Sequence, residues 1–273
     1  VADGAGARAL LDLHRTLSAA SVRARLQYRL SFAVDTLAVL LSTGVDFLAI
    51  LVIFSHLRAL GGWTLFQVGL LYGAAGISFG VTDLVMGHLD SFSDWVREGR
   101  FDVLLIRPVG TLLQLITSDF QPRRIGKIAQ AAAVLGVSLA NLHVAWSVPR
   151  AGMLAAMLLS GTAIYSGVWI AGASIAFWTT EIREVMNAFT YGGNFLASYP
   201  VNILEEWVRR FLAFVVPMAF VSYYPSLFIL GKSDPLGGPG WLPLLTPLVG
   251  VGTLLVGGQI WGLGVRHYRS TGS

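Results

Sequence analysis

The chain has 273 residues, 55% hydrophobic and 12% charged, with a mean hydropathy of +0.67, whereas an ordinary soluble domain is about a quarter charged. Nineteen Lys and Arg against fifteen Asp and Glu leave a net charge of +4; in so apolar a chain that charge reads as membrane orientation rather than nucleic-acid binding. A sequence without cysteine excludes disulfides, thiolate metal sites and cysteine nucleophiles.

Residues 1–30 hold Arg8, Arg15, Arg23, Arg25 and Arg29 but no apolar core ending in a small-residue cleavage site. They are therefore expected to be retained rather than removed as a signal peptide. Leucines and a valine recur between these arginines at helical spacing, which predicts an amphipathic helix in the membrane interface. A solvated basic tail is the alternative. Residues 31–273 read as one membrane domain with six apolar blocks, at 31–54, 64–88, 125–146, 152–178, 211–230 and 242–265. Each is long enough to cross roughly 30 Å of hydrocarbon as a helix. The fold class expected is an all-α integral membrane protein with six transmembrane helices.

The connectors "SHLRALGGW", "SVPRAG" and "GKSDPLGGPG" are short and share one side, carrying Arg58, Arg150 and Lys232. The remaining sixteen of the nineteen Lys and Arg residues fall on the other side. Positive loops stay cytoplasmic, so both termini are expected inside. Small residues at four-residue spacing mark helix contacts: Gly69, Gly73, Gly76 and Gly80 in the second block, Ala163, Gly167 and Ala171 in the fourth, Gly258 and Gly262 in the sixth.

Asp35, Ser42 and Asp46 lie within about 40° of one another on the first block at 100° per residue, forming a polar stripe. A carboxylate at membrane depth costs about 2.5 to 3.5 kcal/mol on insertion scales, so the stripe should face protein, water or a partner. It lines a transport path, or it is a hydrogen-bonded helix contact. Asp83 and His88 are expected at the interface.

The connection 89–124 is the long loop of the first half, and a long ordered loop is usually functional. Ser93 or Asp94 is expected to cap a short helix that runs through Glu98, with Gly99 in the left-handed position that ends it. After Pro108, Val109, Leu112, Leu113 and Ile116 share a helical face suited to the membrane surface. Arg97, Glu98, Arg100, Asp102 and Arg107 alternate in sign, as a docking surface would; a merely solvated loop is the alternative. The segment 179–210, "EIREVMNAFTYGGNFLASYPVNILEEWVRR" with its flank, is expected as two short cytoplasmic interfacial helices with a hinge at Gly192, Gly193 and Pro200.

Catalytic and metal-ligating patterns are missing from the sequence. His14, His56, His88, His143 and His267 are scattered and form no H-E-x-x-H pair, and there is no G-x-S-x-G elbow. Gly231, Lys232 and Ser233 echo the end of a phosphate loop, but Ser226 stands where that motif needs glycine. "LLVGGQI" at 254–260 resembles an ATPase signature yet lies inside the last apolar block. Glu205 and Glu206 read as solvated charges beside Arg209 and Arg210.

"REGRFDVLLIRP", "SDFQPRRIGK", "MNAFTYGGNFLASYP", "FVSYYPSLFILGKSDPLG" and "GVRHYRSTGS" together resemble the permeases of bacterial ABC-type-2 transporters, over nearly the whole chain from Arg23 onward. That resemblance implies a non-hydrolysing permease of the cytoplasmic membrane. It would pair with a second permease, often a different chain, and bind two copies of a cytosolic ATPase that holds the ATP and Mg, with no cofactor on this chain. It places a coupling helix at about 93–100, with Asp94, Arg97, Glu98, Gly99 and Arg100, braced by Phe101, Asp102, Arg107 and Pro108. It also gives the stripe of Asp35, Ser42 and Asp46 a place along the path. An ion-coupled transporter using Asp46 and a membrane scaffold without turnover are the competing classes.

Overall fold

The computed structural model describes residues 44–118, 124–179 and 183–269; the interfacial helix expected in 1–30, Asp35 and Ser42 lie outside the described residues. Among the described residues the chain is helical, with no strand beyond an isolated bridge between Leu60 and Trp63. Helix α1 spans Gly44–His56 and α2 Leu65–Met86. A tight turn, Gly87–Ser91, leads to α3 at Phe92–Arg97, α4 at Asp102–Leu105 and α5 at Thr111–Ile116. Then come α6 at Ile125–Asn141 and α7 at Val148–Ser174, with a final turn at Ile175–Phe177. Helix α8 spans Arg183–Ala197, α9 Glu206–Arg210, α10 Tyr223–Leu230 and α11 Thr246–His267.

Three stretches are long and apolar enough to cross a membrane: Leu65–Arg97, Val148–Phe177 and Leu242–His267. They match the second, fourth and sixth blocks of the sequence. Helices α1 and α6 are apolar but shorter as described. The fifth block is not one helix: Glu206–Val215 and Met218–Leu230 meet at 78°. Pro217 has no N–H to continue the ladder, and the residue before it, Val216, is extended at φ −120° and ψ 95°. The chain bends by nearly a right angle there instead of running straight through.

The bundle is held by close backbone approach, which is what membrane helices use when apolar burial no longer distinguishes protein from lipid. Gly69, Gly73, Gly76 and Gly80 of α2 face Ser138, Leu135, Ala131 and Ile128 of α6 in turn. A Cβ on Gly73 would stand 2.8 Å from the Leu135 backbone nitrogen. In the α7–α11 pair, Gly167 rests on the Thr253 carbonyl and Gly257 on the Gly167 carbonyl, while Gly250 sits against Ser160. Gly250, Gly257 and Gly264 recur every seven residues, the period of a left-handed crossing. Gly258 and Gly262, expected at this contact from their four-residue spacing, open onto free space instead.

Contacts define two ends. At one, the three short connectors meet: Lys232 donates to the Gly62 carbonyl at 2.8 Å and to Gln67 at 3.0 Å, and lies 4.7 Å from the centre of the Trp63 ring. Its burial pulls the ammonium below the usual lysine range. Gly231, first of the three residues of the apparent phosphate-loop ending, is simply the left-handed cap of α10 there, at φ +64°. Asn202 joins the same end, accepting from Trp63 Nε1 at 3.1 Å and donating to the Gly61 carbonyl at 2.8 Å. Helix α8 thus passes unbroken through Gly192 and Gly193 and delivers the chain to the connector end. The two helices expected in 179–210 are present and broken at Pro200, but not at Gly192 and Gly193, and the segment runs to the connector end instead of staying at the other. Its polar residues, Tyr191, Asn194, Ser198 and Tyr199, face a cavity between helices, so they do not keep the segment at the surface.

Candidate functional site

The other end carries a platform, residues 87–118. Its first helix, α3, has Asp94 in the first turn and Arg97 in the last, each the sign that the helix dipole favours. Gly99 takes φ +67°, a conformation that costs a side chain dearly, and so reverses the chain after Glu98 as its position predicts. The cap differs from expectation. Ser91 occupies it, its hydroxyl donating back to the His88 carbonyl at 2.9 Å, while Ser93 is buried inside the helix.

Four of the platform's outward charges pair with one another. Arg97 meets Asp94 at 2.9 Å and Arg100 meets Glu98 at 2.7 Å, with the Arg100 guanidinium 4.7 Å from the Trp95 ring centre. Arg107 and Pro108 are exposed beyond them, next to Ile106, which is 83% exposed. Of the apolar face expected on α5, Leu112 packs on the core, Leu113 is exposed, and the fully buried residue is Leu115.

Two buried rings root the platform in the bundle. Phe92 lies 4.9 Å from Trp261, and Phe101 lies 5.2 Å from Phe177 and 5.0 Å from Tyr268, mostly edge to face. Aromatic pairs of this geometry add about 0.5–1.5 kcal/mol each beyond area burial. Phe177 closes α7, and Trp261 and Tyr268 belong to the end of α11, so a shift of the platform is felt by both helices. Gly264 leaves the room that the Phe177 ring fills. Trp261 Nε1 also donates to Thr111 Oγ1 at 3.2 Å. Asp102 faces the Tyr268 hydroxyl, whose pKa is pushed up to about 12 by burial and then by that carboxylate.

Behind the platform lie two carboxylates. Asp83, expected at the interface, is buried inside the bundle, ion-paired with Arg124 at the head of α6 and 3.6 Å from Lys127. Gly87 keeps space for that guanidinium to reach it. Asp90, in the turn entering α3, accepts from Trp169 Nε1 at 2.7 Å and from the Tyr191 hydroxyl at 3.2 Å. His88 donates from Nε2 to the Leu115 carbonyl at 2.6 Å, tying the same turn to α5.

Tyr191 is also a wall of a polar cavity of about 420 Å³ among α1, α2, α6 and α8. Asp46, Tyr72, Lys127, Gln130, Asn194 and Tyr199 supply its polar lining. Of the acidic stripe, Asp46 therefore does face a cavity. The sequence singled out neither Tyr72, Gln130, Asn194 and Tyr199 nor Asp90. Each is an ordinary polar residue alone, and only the packing of four helices brings them together. Among the described residues no group of three or more His, Asp or Glu side chains is placed to hold a metal ion.

Residues 40–272 match the family described as ABC-2 family transporter protein. No curated protein and no solved structure matches the chain. With nearly the whole chain matched and three long apolar helices in place, the protein is an integral membrane permease component and belongs to the ABC-2 transporter family.

Proposed function

We propose that this chain is the permease of an ATP-driven exporter in a bacterial cytoplasmic membrane, coupled through residues 92–108 to a separate cytosolic ATPase. Two copies of that ATPase, which hold the ATP and Mg, would serve this chain and a second, homologous permease. The observation that carries the reading is the platform's double attachment. Phe92 and Phe101 root it in the ends of α7 and α11, and Asp90 joins it through Tyr191 to the polar cavity. A push on Asp94, Arg97, Glu98, Gly99, Arg100, Asp102, Arg107 or Pro108 from outside is then a push on the cavity wall, the kind of rigid-body transmission that shifts a bundle between two packings.

The six crossings are assigned to α1, α2, α6, α7, α8 and α11. Helix α8 takes the place of the fifth apolar block, and 206–230 becomes a hairpin returning to the connector end. The platform end is cytoplasmic. Moving Arg209 and Arg210 to the connector end with that hairpin still leaves fourteen of nineteen Lys and Arg residues inside. Asp46 and its cavity lie on the path, with Asp35 and Ser42 continuing the stripe along the first span.

Gentle membrane extraction of the tagged chain, mass spectrometry of what accompanies it and an ATPase assay test this reading. A stoichiometric soluble ATPase is expected. A chain that emerges repeatedly alone, without nucleotide hydrolysis, contradicts the reading and leaves ion-coupled transport through Asp46 as the one to pursue.

A further inference from the structure

The two charges in the polar cavity are not balanced alike. Lys127 shares the Asp83 carboxylate, 3.6 Å away, with Arg124, and lies against the rings of Phe79 and Tyr191 at 5.8 and 5.7 Å from their centres. Asp46, which lines the same cavity, has no ion-pair partner among the described residues. It stands ten residues before His56 on α1, hence about 15 Å along the helix from the connector end, within the hydrocarbon zone. An ionised group at that depth calls for a partner.

The surroundings specify its sign and shape. Tyr72, Tyr199 and Phe195 line the cavity with Asp46, and Phe47 packs on Tyr72 at 5.5 Å. Aromatic faces carry negative potential and attract cations, most strongly where water is scarce. Gln130, Asn194 and Ser198 complete the polar part of the lining. The volume of about 420 Å³ lies within the range of small-molecule pockets, roughly 300–1,000 Å³. An anion entering here would meet the Asp46 carboxylate, and Lys127, the one cation lining the cavity among the described residues, is already engaged with Asp83.

We infer that this cavity binds a monovalent organic cation carried on an apolar, ring-bearing body, with Asp46 as counter-ion and the Tyr72 and Tyr199 rings as its cage. As a statement about cargo this rests on the permease reading; as a statement about binding it does not.

The test uses two probes of nearly equal shape and opposite charge, tetraphenylphosphonium and tetraphenylborate, in equilibrium dialysis against the purified full chain in nanodiscs, without nucleotide. Saturable binding of the phosphonium alone is expected. It should weaken at least tenfold in Asp46→Asn, recover in Asp46→Glu and weaken several-fold in Tyr72→Leu, with nonspecific partition into empty nanodiscs subtracted. Equal saturable binding of the borate, or phosphonium binding unchanged in Asp46→Asn, overturns the inference. If Asp46→Asn fails to fold, the Tyr72→Leu result decides in the same sense. A chain that binds the phosphonium but never associates with an ATPase keeps the site and loses the permease reading. A chain with its ATPase and a charge-blind cavity loses only this inference.

Discussion

The Tyr191 hydroxyl donates to the Asp90 carboxylate at 3.2 Å, so one side chain is both a wall of the polar cavity and a fastening of the turn that enters the platform. Asp90 has a second donor in Trp169, so loss of the phenol leaves the carboxylate bonded. Tyr191→Phe is accordingly expected to cost only about 1 kcal/mol of stability while lowering the dependence of transport on ATP hydrolysis. Parallel transport and hydrolysis assays check it. Proportional loss of both activities would reduce the bond to a structural role.

The α7–α11 contact makes a sharp pairwise prediction. Gly257 has the Gly167 backbone against it, whereas neighbouring Gly258 faces free space. Gly257→Ala should destabilise the bundle by about 1–3 kcal/mol, the usual penalty of overpacking, and Gly258→Ala should leave the melting temperature in detergent nearly unchanged. Equal effects would mean that the face turned toward α7 is misassigned.

Asp83 and Arg124 form a buried pair, and removing one member strands the other. Asp83→Asn is expected to cost about 3 kcal/mol or more. The double change Asp83→Asn with Arg124→Leu should recover part of that loss, since the more deeply buried guanidinium is gone and only the half-buried Lys127 then lacks the carboxylate. A thermal-stability double-mutant cycle gives the answer.

Tyr268 gives the platform a dependence on alkaline pH. Its pKa is pushed up to about 12 in the fold, against about 10 for a free tyrosine. The folded state therefore favours the protonated phenol. That contribution is whole below pH about 10 and is lost as pH climbs towards about 12. Protease resistance of the platform should fall over that window in the wild type and more shallowly in Tyr268→Phe, which has nothing to titrate.

Long uninterrupted apolar runs were legible because hydrocarbon imposes one requirement on every residue of such a helix. The sequence reading of 64–88, 152–178 and 242–265 lies close to the helices observed. The reversal at Gly99 was legible too, because a positive φ selects glycine locally. Helix α8 was not. Its polar residues are tolerated by a cavity that three other helices complete, and hydropathy along one segment carries no trace of it. The choice between Gly257 and Gly258 was hidden for a similar reason, since spacing shows that small residues recur but not which helix face meets a neighbour. Pro217 was visible as a residue but not as a break of this size, because proline-kinked helices also cross membranes.

The central claim is that residues 92–108 engage an ATPase, and the cysteine-free sequence makes it directly testable. Arg97→Cys and Arg107→Cys, singly, would be treated in native membranes with a short thiol-to-amine cross-linker, with Arg58→Cys as the control at the connector end. An adduct with a nucleotide-hydrolysing protein from both platform positions, changing in yield when ATP is added and not formed from Arg58→Cys, is the predicted result. Platform cysteines that react fully with a soluble maleimide yet yield no protein adduct, or an adduct formed only from Arg58→Cys, would contradict it.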